Sequence, residues 1–185
     1  PDSTKYIMST DKDFLQLVDE KCCVWSPTKK VFYFNNEVKD MFGIMPENLA
    51  VLRAILGDKS DNISGLKGAG VKTLKKAIPE LFADNKITIQ ELVDTVSQYQ
   101  KPAKVCKNLL NEIDKVKLNY RIMQLYDVEI SAQSKESIMN IVKKQPQAFN
   151  KPTFLRMLNE DTMWLVKDIE LYLRTVWNPI EAFNR

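Results

Sequence analysis

Histidine is absent from all 185 residues. That excludes imidazole catalysis and any zinc site built on histidine. Cysteine is scarce as well: Cys22, Cys23 and Cys106 are odd in number, two are adjacent, and no Cys-x-x-Cys spacing occurs. They read as reduced thiols in a cytoplasmic-type compartment rather than a disulfide framework. No apolar run approaches the roughly eighteen residues that span a bilayer, and no secretory signal opens the chain, so no membrane partner is expected. Any chemistry must rest on carboxylates, lysines, hydroxyls or a metal ion.

The length suits one domain or one and a fraction, and is enough to bury a real core. A charged share of 28% and a hydrophobic share of 44% are ordinary for a soluble globular protein. The net charge of +3 is unevenly spread. Residues 1–61 hold 10 acids against 8 bases, residues 62–121 hold 11 bases against 6 acids, and residues 122–185 hold 8 of each. A solvated lysine-rich helix face would give the same count, so the charge only gains meaning from what sits beside it.

What sits there is the stretch from Ala54 to Ile78. Asp58 and Asp61 are three apart, a spacing that puts two carboxylates on one face of a helical turn. Like charges held that close call for a cation, and hard divalent ions such as Mg²⁺ take one or two carboxylates while keeping several waters. Gly65-Leu66-Lys67-Gly68-Ala69-Gly70 follows and opens a helix at Val71. Glycines allow positive φ and close approach of the backbone to a ligand, and free N–H groups at a helix start form an anion site. Lys72, Lys75 and Lys76 lie on one face of that helix, which Pro79 stops. Metal-binding acids beside a phosphate cradle indicate a protein that handles nucleic acid.

Upstream, Lys5–Met8 reads as a short buried strand. Asp11 and Asp13 follow at its carboxyl end, where α/β sheets collect ligands. Either acid could equally cap the helix expected over Phe14–Val18. Cys22–Trp25 and Val31–Phe34 form a β-hairpin at the sheet edge, with Trp25, Phe32 and Phe34 read as packing the sheet against helices. Asn35 or Asn36 caps a helix to about Phe42, and Pro46 starts another through Leu56. Thr88-Ile89-Gln90-Glu91 is a capping box opening a helix to about Tyr99. A long helix, interrupted or bent, is expected over Pro102–Leu125. Helices follow at Ile138–Val142, Phe154–Leu158 and Met163–Val176, with Gln145–Pro152 a loop and Trp164, Tyr172, Trp177 and Phe183 as packing anchors.

Two segments carry a family resemblance. Gly57-Asp58-Lys59-Ser60-Asp61-Asn62 with the glycine run after it, and Ser9-Thr10-Asp11-Lys12-Asp13-Phe14, resemble motifs of the 5′ nuclease superfamily: flap endonucleases and bacteriophage 5′-to-3′ exonucleases or ribonucleases H. The glycine run is similar to that family's helix-hairpin-helix, or helix-three-turn-helix, region. Ala69 departs from the pattern, where a larger aliphatic residue is usual. The resemblance runs from about Tyr6 to about Asp127.

The resemblance implies a mostly helical α/β fold. Residues 1–56 would be the end of a PIN-like nuclease sheet, residues 57–130 the helix-three-turn-helix DNA-binding region, and residues 131–185 a helical extension. It implies Asp11, Asp13, Asp58 and Asp61 as catalytic metal ligands for Mg²⁺ or Mn²⁺, two ions in the whole enzyme. It further implies a duplex-binding surface of Gly65, Lys67, Gly68, Gly70, Lys72, Lys75 and Lys76, with a K⁺ ion at the hairpin carbonyls. The substrate would be DNA with a 5′ flap or single-stranded 5′ end, or an RNA–DNA hybrid, in the cytoplasm and beside replication proteins. The family's first-strand aspartate and upstream acid cluster do not occur here. The chain therefore resembles a carboxyl-terminal portion that needs the missing amino-terminal part, and alone is expected to be inactive. Two other readings stay open: a non-catalytic duplex-binding module, and a scaffold with an incidental glycine turn.

Overall fold

Strand β1 (Lys5–Met8) pairs in parallel with β2 (Cys22–Ser26), and β2 pairs antiparallel with β3 (Val31–Tyr33), in a computed structural model that describes residues 3–127, 129–144, 150–161 and 168–178. The β2–β3 connection is closed by the Lys30 N–H donating to the Ser26 carbonyl at 2.8 Å. Side chains alternate across a strand. Ile7, Val24 and Tyr33 face the helices, while Tyr6, Met8, Trp25 and Phe32 share the opposite face. This corrects two expectations. β1 is an open edge and not buried, with Tyr6 66% and Met8 74% exposed. Phe32 and Phe34 are half-exposed, stacked on one another at 5.9 Å rather than packed under helices.

The helix expected over Phe14–Val18 is a 3₁₀ turn over Lys12–Leu17. Helix α1 (Asn35–Phe42) starts from Phe34, whose N–H donates to Glu37 Oε2 at 3.0 Å, so neither Asn35 nor Asn36 is the cap. It ends at Gly43, φ 70°. Helix α2 (Pro46–Leu56) is the core of the fold. Pro46 supplies the pre-set φ of a first turn, and Leu49, Leu52, Ala54 and Ile55 are buried. It packs on the 3₁₀ turn and on a later helix, α6 (Ile113–Met123). Gln16, buried in the 3₁₀ turn, donates to the Met123 carbonyl at 3.1 Å and accepts from the Leu125 N–H at 2.9 Å. That clamp joins segments more than a hundred residues apart.

After α2 comes a two-residue pair, β4 (Gly57–Asp58) with β5 (Ile63–Ser64), then α3 (Val71–Ala77) and a 3₁₀ turn at Pro79–Phe82. Helix α4 (Ile89–Ser97) opens on the expected box: Thr88 Oγ1 accepts from the Glu91 N–H, and Glu91 Oε2 from the Thr88 N–H. The long helix is two: α5 (Lys104–Asn111) and α6, broken at Glu112, φ −112°. Leu109 of α5 and Val116 of α6 both reach the core, while Leu118 and Ile122 of α6 stay exposed.

The chain divides into two units, Pro1–Glu129 and Ile130–Arg185. The second holds α7 (Ala132–Val142), α8 (Lys151–Glu160) and α9 (Ile169–Tyr172), with a π turn over Leu173–Trp177. Lys151 and Pro152, expected in a loop, form the first turn of α8, a position proline tolerates. Tyr172 stacks on Phe154 at 6.4 Å. Residues 145–149, Trp164, Phe183 and the Trp177 side chain lie outside what is described. No helix among the described residues is long and apolar enough to cross a membrane.

Candidate functional site

The acids reach one place from two directions. Asp11 follows β1 and caps the 3₁₀ turn, its Oδ1 accepting from the Asp13 N–H at 2.9 Å, so its capping role is real. Asp13 stands in the first turn beyond it. Asp58 ends β4 and Asp61 lies in the β4–β5 connection, so the pair does not come from the helical turn that its spacing had suggested. Gly57 at φ 75° and Asn62 at φ 58° take left-handed backbone conformations that bend the chain there. Asp11, Asp13, Asp58 and Asp61 nevertheless line a single cleft of about 580 Å³, with Arg53 in its wall and Val71 at its rim.

Arg53 is the residue that sequence reasoning missed. It sits in the last turn of α2, its side chain is 16% exposed, and its two terminal nitrogens donate separately to Asp13 Oδ1 and Asp58 Oδ2. The second Asp58 oxygen accepts from the Ser60 N–H at 2.8 Å and from the Ser60 hydroxyl. The Ser60 hydroxyl, then its N–H and the Arg53 charge, hold the Asp58 carboxyl below the usual aspartate range against the opposing effect of burial. Asp61 is exposed and has no ion-pair partner among the described residues.

Carboxylates suit a hard divalent ion. Their arrangement here does not form a cage for one. Among the described residues no three acidic, histidine or cysteine side chains converge at metal distance. Arg53 fills the position between Asp13 and Asp58 that an ion bridging them would take.

The glycines divide by role. At Gly57 an added Cβ would stand 2.3 Å from the Gly65 nitrogen, and at Gly65 one would stand 2.0 Å from the Leu56 carbonyl oxygen. These two permit backbone to cross backbone, a demand of the fold and not of a ligand. Of the run, Gly68 alone has positive φ, 79°. Gly70 is extended at φ −151°, and a Cβ there would meet nothing closer than Thr73 Oγ1 at 4.0 Å. Of the two properties that glycine allows, positive φ is therefore used in this run only at Gly68. Leu66 is buried as the hairpin's apolar plug, with the smaller Ala69 packed beside it.

Helix α3 is seven residues long, so its macrodipole is small, yet the N–H groups of Val71, Lys72 and Thr73 precede its first rung, Leu74 N–H to the Gly70 carbonyl. Lys67, Lys72, Lys75 and Lys76 are exposed and have no ion-pair partner among the described residues, which leaves an uncompensated cationic face. From behind, side chains of α5 and α6 grip the hairpin carbonyls. Asn108 donates to Lys67 O at 2.8 Å, Lys115 to Gly65 O at 2.9 Å, and Asn119 to Ser64 O and Ala54 O, each at 3.0 Å. Nothing in local sequence pairs these residues.

No family model matches the chain. It is 26% identical over 160 residues to a 5′-3′ exonuclease of Aquifex aeolicus, covering 83% of this chain and 52% of that protein. It is 27% identical over 176 residues to DNA polymerase I of Bacillus subtilis, covering 89% of this chain and 19% of that protein. The fold is similar to that of the bacteriophage T5 flap endonuclease solved as a pseudo-enzyme-product complex with DNA and metal ions, at TM-score 0.53 and 24% identity, covering 65% of this chain and 43% of that one. The chain spans about half the length of the first of these relatives.

Proposed function

We propose that this chain is the duplex-holding, carboxylate-bearing portion of a structure-specific 5′ nuclease that, in its whole form, hydrolyses phosphodiesters with divalent metal ions. Its kinship with 5′-3′ exonucleases supports the reading, and one observation carries it. Val71, the first residue of the lysine helix, lines the same cleft as Asp11, Asp13, Asp58 and Asp61. A strand tracked along that helix start runs toward the carboxylates.

Holding falls to the hairpin. The backbone N–H groups of Gly68, of Gly70 and of the first turn of α3 face a phosphate, while the Ala69 N–H is spent on the Leu66 carbonyl at 3.1 Å, and Lys67, Lys72, Lys75 and Lys76 add sequence-independent charge contacts. Gly65 supports that surface from inside the protein. The cation of choice is Mg²⁺ or Mn²⁺, with the four aspartates as ligands, two ions in the whole enzyme. With Arg53 seated the acids do not fit an ion, so no hydrolytic step is assigned to them. A K⁺ ion at the hairpin carbonyls has a rival in the Lys115 ammonium, which already occupies Gly65 O. The substrate class is DNA with a 5′ flap or single-stranded 5′ end, or an RNA–DNA hybrid. The partners are the rest of the nuclease and proteins of the replication machinery, and the compartment is the cytoplasm.

One observation favours a second reading, a duplex-binding module without catalysis: Arg53 neutralises two of the four acids. Fluorescence anisotropy with blunt and 5′-flap duplexes of unrelated sequence tests the first reading, with product analysis in Mg²⁺ to separate the second. The purified chain should bind all of them similarly, lose affinity steeply with salt, and cleave little by itself. No binding at low salt sinks both readings. Duplex binding by a whole-length form that never cleaves leaves only the second.

A further inference from the structure

We infer that Arg53 is the resident cation of the acidic cleft, and that a divalent ion engages Asp13 and Asp58 only when the guanidinium leaves. The inference rests on the proposed metal role of the aspartates and adds a competitor built into the fold. The geometry is specific. One guanidinium spans two carboxylates from different elements, Asp13 of the 3₁₀ turn and Asp58 of β4, using one terminal nitrogen for each.

Arginine keeps its charge at any working pH and offers rigidly spaced donors, so the bridge persists wherever both acids are ionised. Little water screens it, because the Arg53 and Asp58 side chains are each only 16% exposed. Both oxygens of Asp58 are engaged: Oδ2 accepts from Arg53, and Oδ1 from the Ser60 N–H and hydroxyl. An ion entering between Asp13 and Asp58 must take the oxygens that Arg53 holds, and two cations cannot share so small a gap. Arg53 can withdraw without unfolding α2, because its long stem leaves the helix at its last turn and borders an open cleft. The acids and Arg53 thus form an exchangeable site, guanidinium in one state and metal in the other. The cleft stays assembled in the absence of metal, when four bare carboxylates would repel.

Mn²⁺ titration of the full chain, followed by calorimetry and by the free-Mn²⁺ spin-resonance signal, tests the exchange. Arg53→Gln keeps the stem and removes the charge, while Arg53→Lys keeps the charge. Arg53→Gln should bind Mn²⁺ at least about tenfold tighter than the parent, the scale on which groups around metal ligands act. It should also melt lower than the parent without metal and gain more on adding Mn²⁺, and Arg53→Lys should stay close to the parent. Equal, tight binding by parent and Arg53→Gln overturns the competition while leaving the metal role standing. No Mn²⁺ binding by either overturns both. If Arg53→Gln does not fold, the parent's Arg53 side-chain Nε–H resonance decides. Mg²⁺ should move it to a solvent-exposed position, and a resonance unmoved at saturating Mg²⁺ refutes the exchange.

Discussion

Lys115 of α6 donates its ammonium to the carbonyl of Gly65 at 2.9 Å, 50 residues away in the chain, and is held in place by Glu112 at 3.2 Å. A cation of this chain thereby touches a hairpin carbonyl directly. Lys115→Met keeps the stem and removes the donor. Because the group is one-third exposed, the loss of stability should be modest, about 1 kcal/mol, below the range for a buried charged hydrogen bond. Duplex affinity should fall in Na⁺ buffer and recover in K⁺, which can occupy the vacated carbonyl, while the parent binds alike in both. Equal affinity of Lys115→Met in the two salts would show that no monovalent cation replaces the ammonium.

Asp58 provides a pH test. Its folded-state pKa is lowered, chiefly by the Ser60 hydroxyl, so it binds a proton less readily folded than unfolded. The stabilisation is therefore fully present above the ordinary aspartate pKa, about 3.9, and disappears as pH falls through and below it. Ser60→Ala should lower the melting temperature at pH 7, and the gap to the parent should close in acid below about pH 4. A gap that does not change with pH would assign the Ser60 effect to turn geometry and not to the carboxylate.

Lys72, Lys75 and Lys76 are exposed on α3, while Leu74 between them is fully buried. Changing the three lysines to alanine should leave the melting temperature nearly unchanged. The same change should weaken duplex binding alike on unrelated sequences and cut the slope of log affinity against log salt by up to about 2.7, at about 0.9 per phosphate contact. By contrast, Leu74→Ala should cost about 2–5 kcal/mol through its cavity. A lysine variant whose affinity falls on one sequence only would point to base readout.

Signals confined to a few neighbouring residues were legible in the sequence. Pro46 marks the start of α2, Thr88 and Glu91 form the box that opens α4, and the β-branched and aromatic runs pair as β2 and β3. The Asp58–Asp61 spacing misled because i, i+3 is equally the reach of a tight connection. The left-handed Gly57 and Asn62 decide between the two. The exposed Tyr6 and Phe32 were misjudged because alternation says which residues share a face, not which face meets the helices. Arg53 was out of reach altogether: its bridge joins positions 13, 53 and 58, which meet only once α2 packs on the 3₁₀ turn.

Gly70 gives the most direct test of duplex binding through the hairpin backbone. Its extended φ of −151° is open to any residue, and an added Cβ meets nothing closer than Thr73 Oγ1 at 4.0 Å. Gly70→Val should therefore fold and melt like the parent, whereas Gly65→Ala, driven into the Leu56 carbonyl, should be destabilised by about 1–3 kcal/mol or more. The measurement is the affinity of Gly70→Val for a blunt duplex at fixed low salt, with its melting temperature taken in the same buffer. The predicted result is an unchanged melting temperature with affinity lowered about tenfold, because the side chain keeps a phosphate from the N–H groups at the start of α3. A variant that melts like the parent and binds duplex equally well would contradict the account, and the hairpin would then be a turn between helices and nothing more.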